Sequence, residues 1–192
     1  VFTLMFIRHP LAASLNFSTR YGKMCISKDI SGRVWLLGDH INTDLIHPPS
    51  CFSLDETKIK NGLRVGMERL DRKVSQDDTQ DNLVIVAGEN FGCGSSRETS
   101  VRALFASGVR AIVAKSFARI FYRSLVNRGI SPLVCTKIQD RVADGDPIQI
   151  SIDKHHIILS NNEHAPFAPF DPHIKKILEC GGLISYLKRE QE

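Results

Sequence analysis

The chain has 192 residues, 42% hydrophobic and 24% charged, a balance that fits one globular domain with its own core and excludes a disordered or low-complexity chain. Its formal charge of +4 belongs to one end: Arg8, Arg20, Lys23 and Lys28 lie in a segment without Asp or Glu, and of the 25 basic residues these four leave 21, equal to the 21 acidic ones. The neutral remainder argues against a nucleic-acid surface, and the apolar stretches Val1 to Ile7 and Leu11 to Leu15 are each too short to span a membrane.

Residues 1–28 combine arginine, serine and apolar residues with no acid, as mitochondrial and plastid presequences do. The competing reading is a poorly ordered N-terminal extension, with Met24 as an internal start. Residues 29–192 are expected to form a single α/β domain. Arg33 to Leu37 reads as a strand, followed by the polar loop Gly38 to Asp44. Pro48-Pro49 argues against a helix from Leu45 to Pro49 and for an extended path. Ser50 to Arg72 carries no clear period, and Ser75 to Asn82 reads as a polar, acidic turn.

Leu83 to Ala87 is a short continuous apolar run of strand length, broken by Gly88 to Gly94. After it, Val101, Leu104 and Phe105 recur at helical spacing up to Gly108, a C′ stop. Ser95 and Glu98 fit the S-x-x-E capping box, which starts this helix at the serines. Ala111 to Ala114 reads as the next strand. Ser116 is placed to cap a helix with Phe117, Ile120, Phe121 and Leu125 on one face, ended by Gly129 and Pro132. Leu133 to Cys135 makes a third strand, so strand, helix, strand, helix, strand implies parallel pairing with right-handed crossovers. Ile148 to Ile152 and His156 to Leu159 read as a hairpin, and Pro172 to Cys180 as a helix before Gly181-Gly182.

The first strand-to-helix loop carries the chemistry. Gly92-Cys93-Gly94-Ser95-Ser96-Arg97-Glu98 places two glycines, two hydroxyls and a guanidinium at a helix N-terminus, where unpaired N–H groups favour an anion and glycines admit it close to the backbone. Arg97 supplies a fork suited to a carboxylate. A structural reading stands beside this one, in which Ser95 only caps and the glycines only turn. No lysine follows the second glycine and no G-x-G-x-x-G is present here, which disfavours a nucleotide. The five cysteines, Cys25, Cys51, Cys93, Cys135 and Cys180, contain no C-x-x-C pair, so no zinc or cluster motif is written in the chain. Their odd number, without a secretory pattern, suggests reduced thiols and a cytoplasmic setting, or a mitochondrial or plastid one if residues 1–28 are a transit peptide. Cys93 between two glycines reads as a small loop residue rather than a nucleophile.

Three ordered motifs go further: Gly38-Asp39-x-Ile41-x-Thr43-Asp44, then Asn90 to Glu98, then Ser116-Phe117-Ala118-Arg119-Ile120-Phe121-Tyr122-Arg123. With the closing Gly181-Gly182-Leu183-Ile184-x-Tyr186-Leu187, the stretch from about Gly32 to Lys188 resembles the 3-isopropylmalate dehydratase small subunits, separate-chain counterparts of the aconitase C-terminal swivelling domain. The resemblance implies a swivelling β/β/α domain that acts only with a large subunit, in a hydro-lyase interconverting 2- and 3-isopropylmalate for leucine biosynthesis. Related dehydratases of dimethylmalate, citraconate-type or homoaconitate acids are the alternative, and a non-catalytic binding module a more distant one. It also implies a [4Fe-4S] cluster held by the large subunit, with no metal ligand in this chain. By resemblance Ser95 removes the proton next to the carbon bearing the leaving hydroxyl, Asp44 organises acid–base chemistry, and Arg97 holds a substrate carboxylate. Gly94, Ser96, Thr43 and Phe52 join the substrate-binding set, with Asp39 behind them; Arg119 and Arg123 read as helix-surface or interface residues.

Two departures bear on the substrate. Where the family commonly reads Ile-Pro-Ala-Arg/Lys-Tyr-Leu after the aspartate, this chain has His47, Pro49, Ser50, Cys51 and Phe52, and Thr99 stands where histidine is frequent. Phe52 and Leu54 in the loop that meets the variable substituent suit an alkyl group better than an extra carboxylate.

Overall fold

The computed structural model describes residues 29–53, 55–70, 83–94 and 97–191. The readings made for residues 1–28, Leu54, the turn at 75–82, Ser95 and Ser96 lie outside these. Four parallel strands, β1 (Asp29–Leu36), β2 (Leu83–Ala87), β3 (Val109–Ala114) and β4 (Ser131–Val134), form one half of a single sheet. The antiparallel β5 (Pro147–Ser151), β6 (His156–Ile158) and β7 (His164–Pro166) continue it beyond β1, giving the order β4-β3-β2-β1-β5-β6-β7. The expected hairpin is β5–β6. Pro132, expected as a stop, lies within β4 opposite Ile112; β4 ends the sheet order, and an edge strand tolerates a residue with no N–H.

β2 is buried along its whole length because both of its faces are covered. Leu83, Ile85 and Ala87 point into one core with Ile112 and Ala114, while Val84 and Val86 join Ala111 and Val113 in another. The second core also holds Ile148, Ile150, Ile157 and Ala165 of the antiparallel half. The sheet therefore curls over it until its two ends meet: Ala168 N donates to Val134 O at 3.0 Å, and the Cys135 thiol reaches Pro166 O at 3.2 Å. This is the expected α/β swivelling-domain architecture, with a β layer on one side of the parallel strands and helices on the other.

The helical layer fills the first core. Helix α1 (Thr43–Ile46) contributes Ile46, α2 (Glu56–Glu68) Ile59, Leu63 and Met67, α3 (Glu98–Ala106) Val101 and Leu104, and α4 (Arg119–Arg128) Phe121 and Leu125. Helices α5 (Pro172–Glu179) and α6 (Leu183–Glu190) pack beside α4 through Val126, Ile177, Leu178, Leu183 and Tyr186. Several expectations are corrected. A helical turn, α1, does form before the two prolines, because Asn42 accepts from Asp44 N at 2.8 Å and caps it; His47 leaves the helical conformation just before Pro48. Pro49 then opens a short 3-10 turn, Pro49–Cys51, at the first position, where its missing N–H costs nothing. Ser116 does not cap α4: Ala118 occupies that place, and Ile120 faces solvent rather than the core.

Helix α2 lies in the stretch that carries no clear period, and it contains Gly62 and Gly66, which weaken a helix by propensity. They are packing devices instead. A Cβ on Gly66 would collide with the carbonyls of Leu45 and Ile46, and one on Gly62 with the His47 ring, so the bare backbone of α2 is what lets α1 and its following loop lie against it. Gly66→Ala gains at most about 1 kcal/mol of helix propensity, whereas a fixed backbone clash costs about 1–3 kcal/mol. We expect a net loss of stability in urea denaturation with unchanged m. Gly38→Ala, with nothing within 4 Å of the new Cβ, should stay within about 0.5 kcal/mol of wild type.

Candidate functional site

The first three parallel strands of the β1-β2-β3 run each end in a loop, and the loops continue the pairing of the strands. Gly88 N donates to Gly38 O (3.1 Å), His40 N to Glu89 O (2.7 Å), Gly92 N to Ile41 O (2.8 Å) and Thr43 N to Cys93 O (2.9 Å). On the other side Lys115 N donates to Gly88 O (3.1 Å), Phe91 N to Ser116 O (3.0 Å) and Ala118 N to Phe91 O (2.9 Å). Side chains reinforce this ladder: the Asp39 carboxylate accepts from Glu89 N at 2.8 Å, and the Ser116 hydroxyl, expected as a helix cap, accepts from Asn90 N at 2.8 Å. Ligands in parallel α/β sheets bind outside the carboxyl ends of the strands, and that is where these loops gather the candidate residues.

Arg97 is the N-cap residue of α3, so the helix begins at Glu98 and not at the serines. The capping-box expectation is thereby corrected: Glu98 is the first helical residue, too early to be the third. Asp44 sits in the first turn of α1. Although 53 residues apart, the two meet, with Arg97 Nη1 donating to Asp44 Oδ1 at 2.7 Å. Both side chains remain partly exposed, at 37% and 44%. The Arg97 guanidinium also lies 4.6 Å from the centre of the Phe52 ring. Phe52 is 40% exposed, unusual for a phenylalanine.

Gly94 is held at φ +95, and a Cβ there would come within 2.5 Å of the Asn42 amide oxygen that caps α1. Only glycine satisfies both conditions. Thr43 is fully buried: its N–H is held by Cys93 and its carbonyl accepts from the Ser100 hydroxyl at 3.3 Å. It fixes the two loops to each other from beneath. Arg119 and Arg123 are exposed on α4. Cys93 is partly exposed, its thiol 3.3 Å from His40 O. Among the described residues no three His, Cys, Asp or Glu side chains form a metal-binding group.

The residue that sequence reasoning noted only as a departure is His47. It is fully buried, its ring stacks on Phe52 with centroids 5.4 Å apart and planes 7° apart, and among the described residues neither ring nitrogen has a hydrogen-bond partner. Burial pushes its pKa below the ordinary histidine value. The sequence signal was the neighbouring pair of prolines, which hold His47 and Phe52 on one short turn.

Comparison with known proteins gives the family. Residues 54–138 match the family described as the aconitase C-terminal domain. The methanogen homoaconitase small subunit of Methanocaldococcus jannaschii is 39% identical over 165 residues, 84% of this chain and 93% of its own. The 3-isopropylmalate dehydratase small subunit 1 of Thermotoga maritima is 40% identical over 164 residues, 83% of this chain and 95% of its own. A crystal structure of 3-isopropylmalate dehydratase (LeuD) from M. jannaschii superposes with a TM-score of 0.75 at 38% identity, covering 85% of this chain and 95% of that one. The chain belongs to the 3-isopropylmalate dehydratase small-subunit family.

The buried, unpartnered His47 makes stability depend on pH. Its folded pKa is depressed, so the unfolded chain binds the proton more readily; the stability it contributes is fully present above about pH 6.5, the unperturbed value, and is lost as the pH falls from there towards the folded value. Urea midpoints measured across pH 7.5 to 5 should fall for wild type and fall less for His47→Leu.

Proposed function

We propose that this chain is the small subunit of a hydro-lyase that interconverts 2- and 3-isopropylmalate by removing and restoring water, as in leucine biosynthesis, and that it turns over substrate only with a large subunit. The observation that carries the reading is the meeting of Arg97 and Asp44 at the rim of the paired loops, in a chain whose relatives bear that enzyme's name.

The family implies an iron–sulfur cluster, and we assign it to the large subunit. Supporting this, the described cysteines, Cys51, Cys93, Cys135 and Cys180, lie on separate elements and form no ligand group. Bound there, a [4Fe-4S] cluster supplies Lewis acidity towards the substrate hydroxyl and a carboxylate. These thiols are unpaired, which suits a reducing compartment such as the cytoplasm. No helix among the described residues is long and apolar enough to cross a membrane.

This chain's part is to bind, orient and move one proton. Arg97 gives one nitrogen to Asp44, and its remaining fork receives a substrate carboxylate. The exposed Asp44 pair is worth only about 0–1 kcal/mol, so rearranging it around an incoming carboxylate costs little. Ser95, two residues before Arg97, takes the proton from the carbon adjacent to the one that loses hydroxyl and returns it on rehydration. A serine hydroxyl does this only where positive charge and donors stabilise its alkoxide, and Arg97 at the start of α3 contributes both. Ser96 and the backbone at Gly94 complete the carboxylate contacts, Asp44 orients the guanidinium and the acid–base chemistry, and Thr43 holds the loops in register. Phe52 offers its exposed ring to the alkyl group.

A homoaconitase-like substrate carries a further carboxylate, and one relative bears that name. The loop His47 to Ser53 holds no Lys or Arg to receive it, so the alkylmalate is the better fit.

Anaerobic co-expression with the large subunit, followed by absorbance at the alkene diacid, tests the reading. Turnover of isopropylmalate only with both chains present is expected; turnover of homocitrate-type acids alone would move the substrate assignment. Ser95→Ala should keep assembly and lower kcat by at least about a hundredfold, the scale of a lost proton-transfer group. Arg97→Lys, which keeps the charge and loses the fork, should raise KM by about tenfold or more. Wild-type turnover in Ser95→Ala would overturn the proton-transfer role.

A further inference from the structure

We propose that Phe52, backed by His47, is a positioning residue that holds the Arg97 guanidinium in its binding orientation. The inference rests on the carboxylate-binding role proposed for Arg97 and adds to it how the arginine is aimed.

A long arginine side chain at a partly exposed site has many rotamers, and each must be given up when it clamps a carboxylate. Here two contacts act on it. The hydrogen bond to Asp44 Oδ1, 2.7 Å long, holds the guanidinium by its edge. The Phe52 ring, 4.6 Å from the guanidinium carbon, holds it by its face and lies well within cation–π range. Together they leave the other edge of the fork for substrate.

For this to work the Phe52 ring has to be fixed, and at 40% exposure the core does not fix it. His47 does. Its buried ring lies parallel to Phe52 at 5.4 Å, and it fits against α2 only because Gly62 has no Cβ to strike it. Between the two rings Pro48 and Pro49 stiffen the chain, and the turn closes through Cys51 N to Pro48 O (2.9 Å) and Phe52 N to Pro49 O (3.2 Å). An aliphatic residue at position 47 would fill the space without presenting a parallel flat face. The chain thus runs from Gly62 to His47, Phe52, Arg97 and Asp44 as one set of contacts.

The test compares Phe52→Leu, which keeps an apolar surface and loses the π face, with Phe52→Tyr, which keeps both. With the large subunit present, Phe52→Leu should raise KM for isopropylmalate about three- to tenfold, matching the loss of one cation–π contact, with kcat changed less than about twofold. Phe52→Tyr should restore wild-type KM. A second readout needs no turnover: in the isotope-labelled full chain, the Arg97 Nε–H resonance, assigned by its loss in Arg97→Lys, should move downfield in Phe52→Leu and stay in place in Phe52→Tyr, because a ring face shields the nucleus beneath it. His47→Leu should move it in the same direction. An Arg97 resonance indifferent to Phe52→Leu would overturn the positioning role. An Arg97→Lys variant with unchanged KM, beside a resonance that does move, would instead count against the carboxylate reading and leave the positioning contact standing.

Discussion

Everything in the candidate site depends on backbone pairing that continues past the ends of β1, β2 and β3. Strands bring their C-terminal ends to one side of a sheet, but loops normally diverge there. In this chain Ile41, Gly92 and Cys93, and then Phe91, Ser116 and Ala118, go on exchanging N–H and carbonyl groups, so the N-terminus of α1 and that of α3 are placed by hydrogen bonds rather than by loop packing. Asp44 directly follows Thr43, the last paired residue of one loop, and Arg97 comes four residues after Cys93, its partner in the other. Their meeting is a consequence of register.

That origin explains why a modest ion pair can matter. At about 40% exposure the Asp44–Arg97 pair is screened and adds little to folding. Its partners are already positioned, so the pair does not have to hold the loops together, and its arginine stays available to a ligand. The rigid part of the site is underneath, where Thr43 is fully buried and the Asn42 amide both caps α1 and occupies the space that a side chain at Gly94 would need. Stability and binding are thus carried by different groups in neighbouring residues.

The strands around the site were legible from sequence because a strand buried on both faces has to be apolar throughout, and Leu83 to Ala87 is. The parallel β2-α3-β3-α4-β4 run followed from the alternation of strands and helices. Local helix signals were less dependable. Ser95 and Glu98 have capping-box spacing, yet α3 starts at Glu98, with Arg97 at its N-cap. Ser116 has cap chemistry but spends its hydroxyl on Asn90. Helix α2 was hidden because Gly62 and Gly66, helix-weakening on any propensity scale, answer to the shape of His47 and α1. For Ser116 and for α2 a tertiary contact overrode a local preference. Arg97 stood out from the local pattern of the first strand-to-helix loop and Asp44 from motif resemblance; Phe52 and His47 entered as departures from that resemblance, and the role of His47 lies in a stack that spacing alone does not reveal.

The same stack bears on specificity. A pocket built of apolar and aromatic atoms distinguishes alkyl groups weakly, at about 1–3 kcal/mol per methylene, but it rejects an unpaired charge more strongly, since a carboxylate brought there loses its water without gaining a cation. The segment His47-Pro48-Pro49-Ser50-Cys51-Phe52-Ser53 offers two hydroxyls, a thiol and aromatic surface, and no cation. Arg97, the cation beside it, is engaged on its edge by Asp44 and on its face by Phe52. A substrate with one more carboxylate would have to compete for that guanidinium or remain unpaired, whereas an alkyl substituent meets the ring without displacing anything. On the proposed function, discrimination against the larger acid would arise from a charge with nowhere to go, beside the same flat ring proposed to aim the arginine.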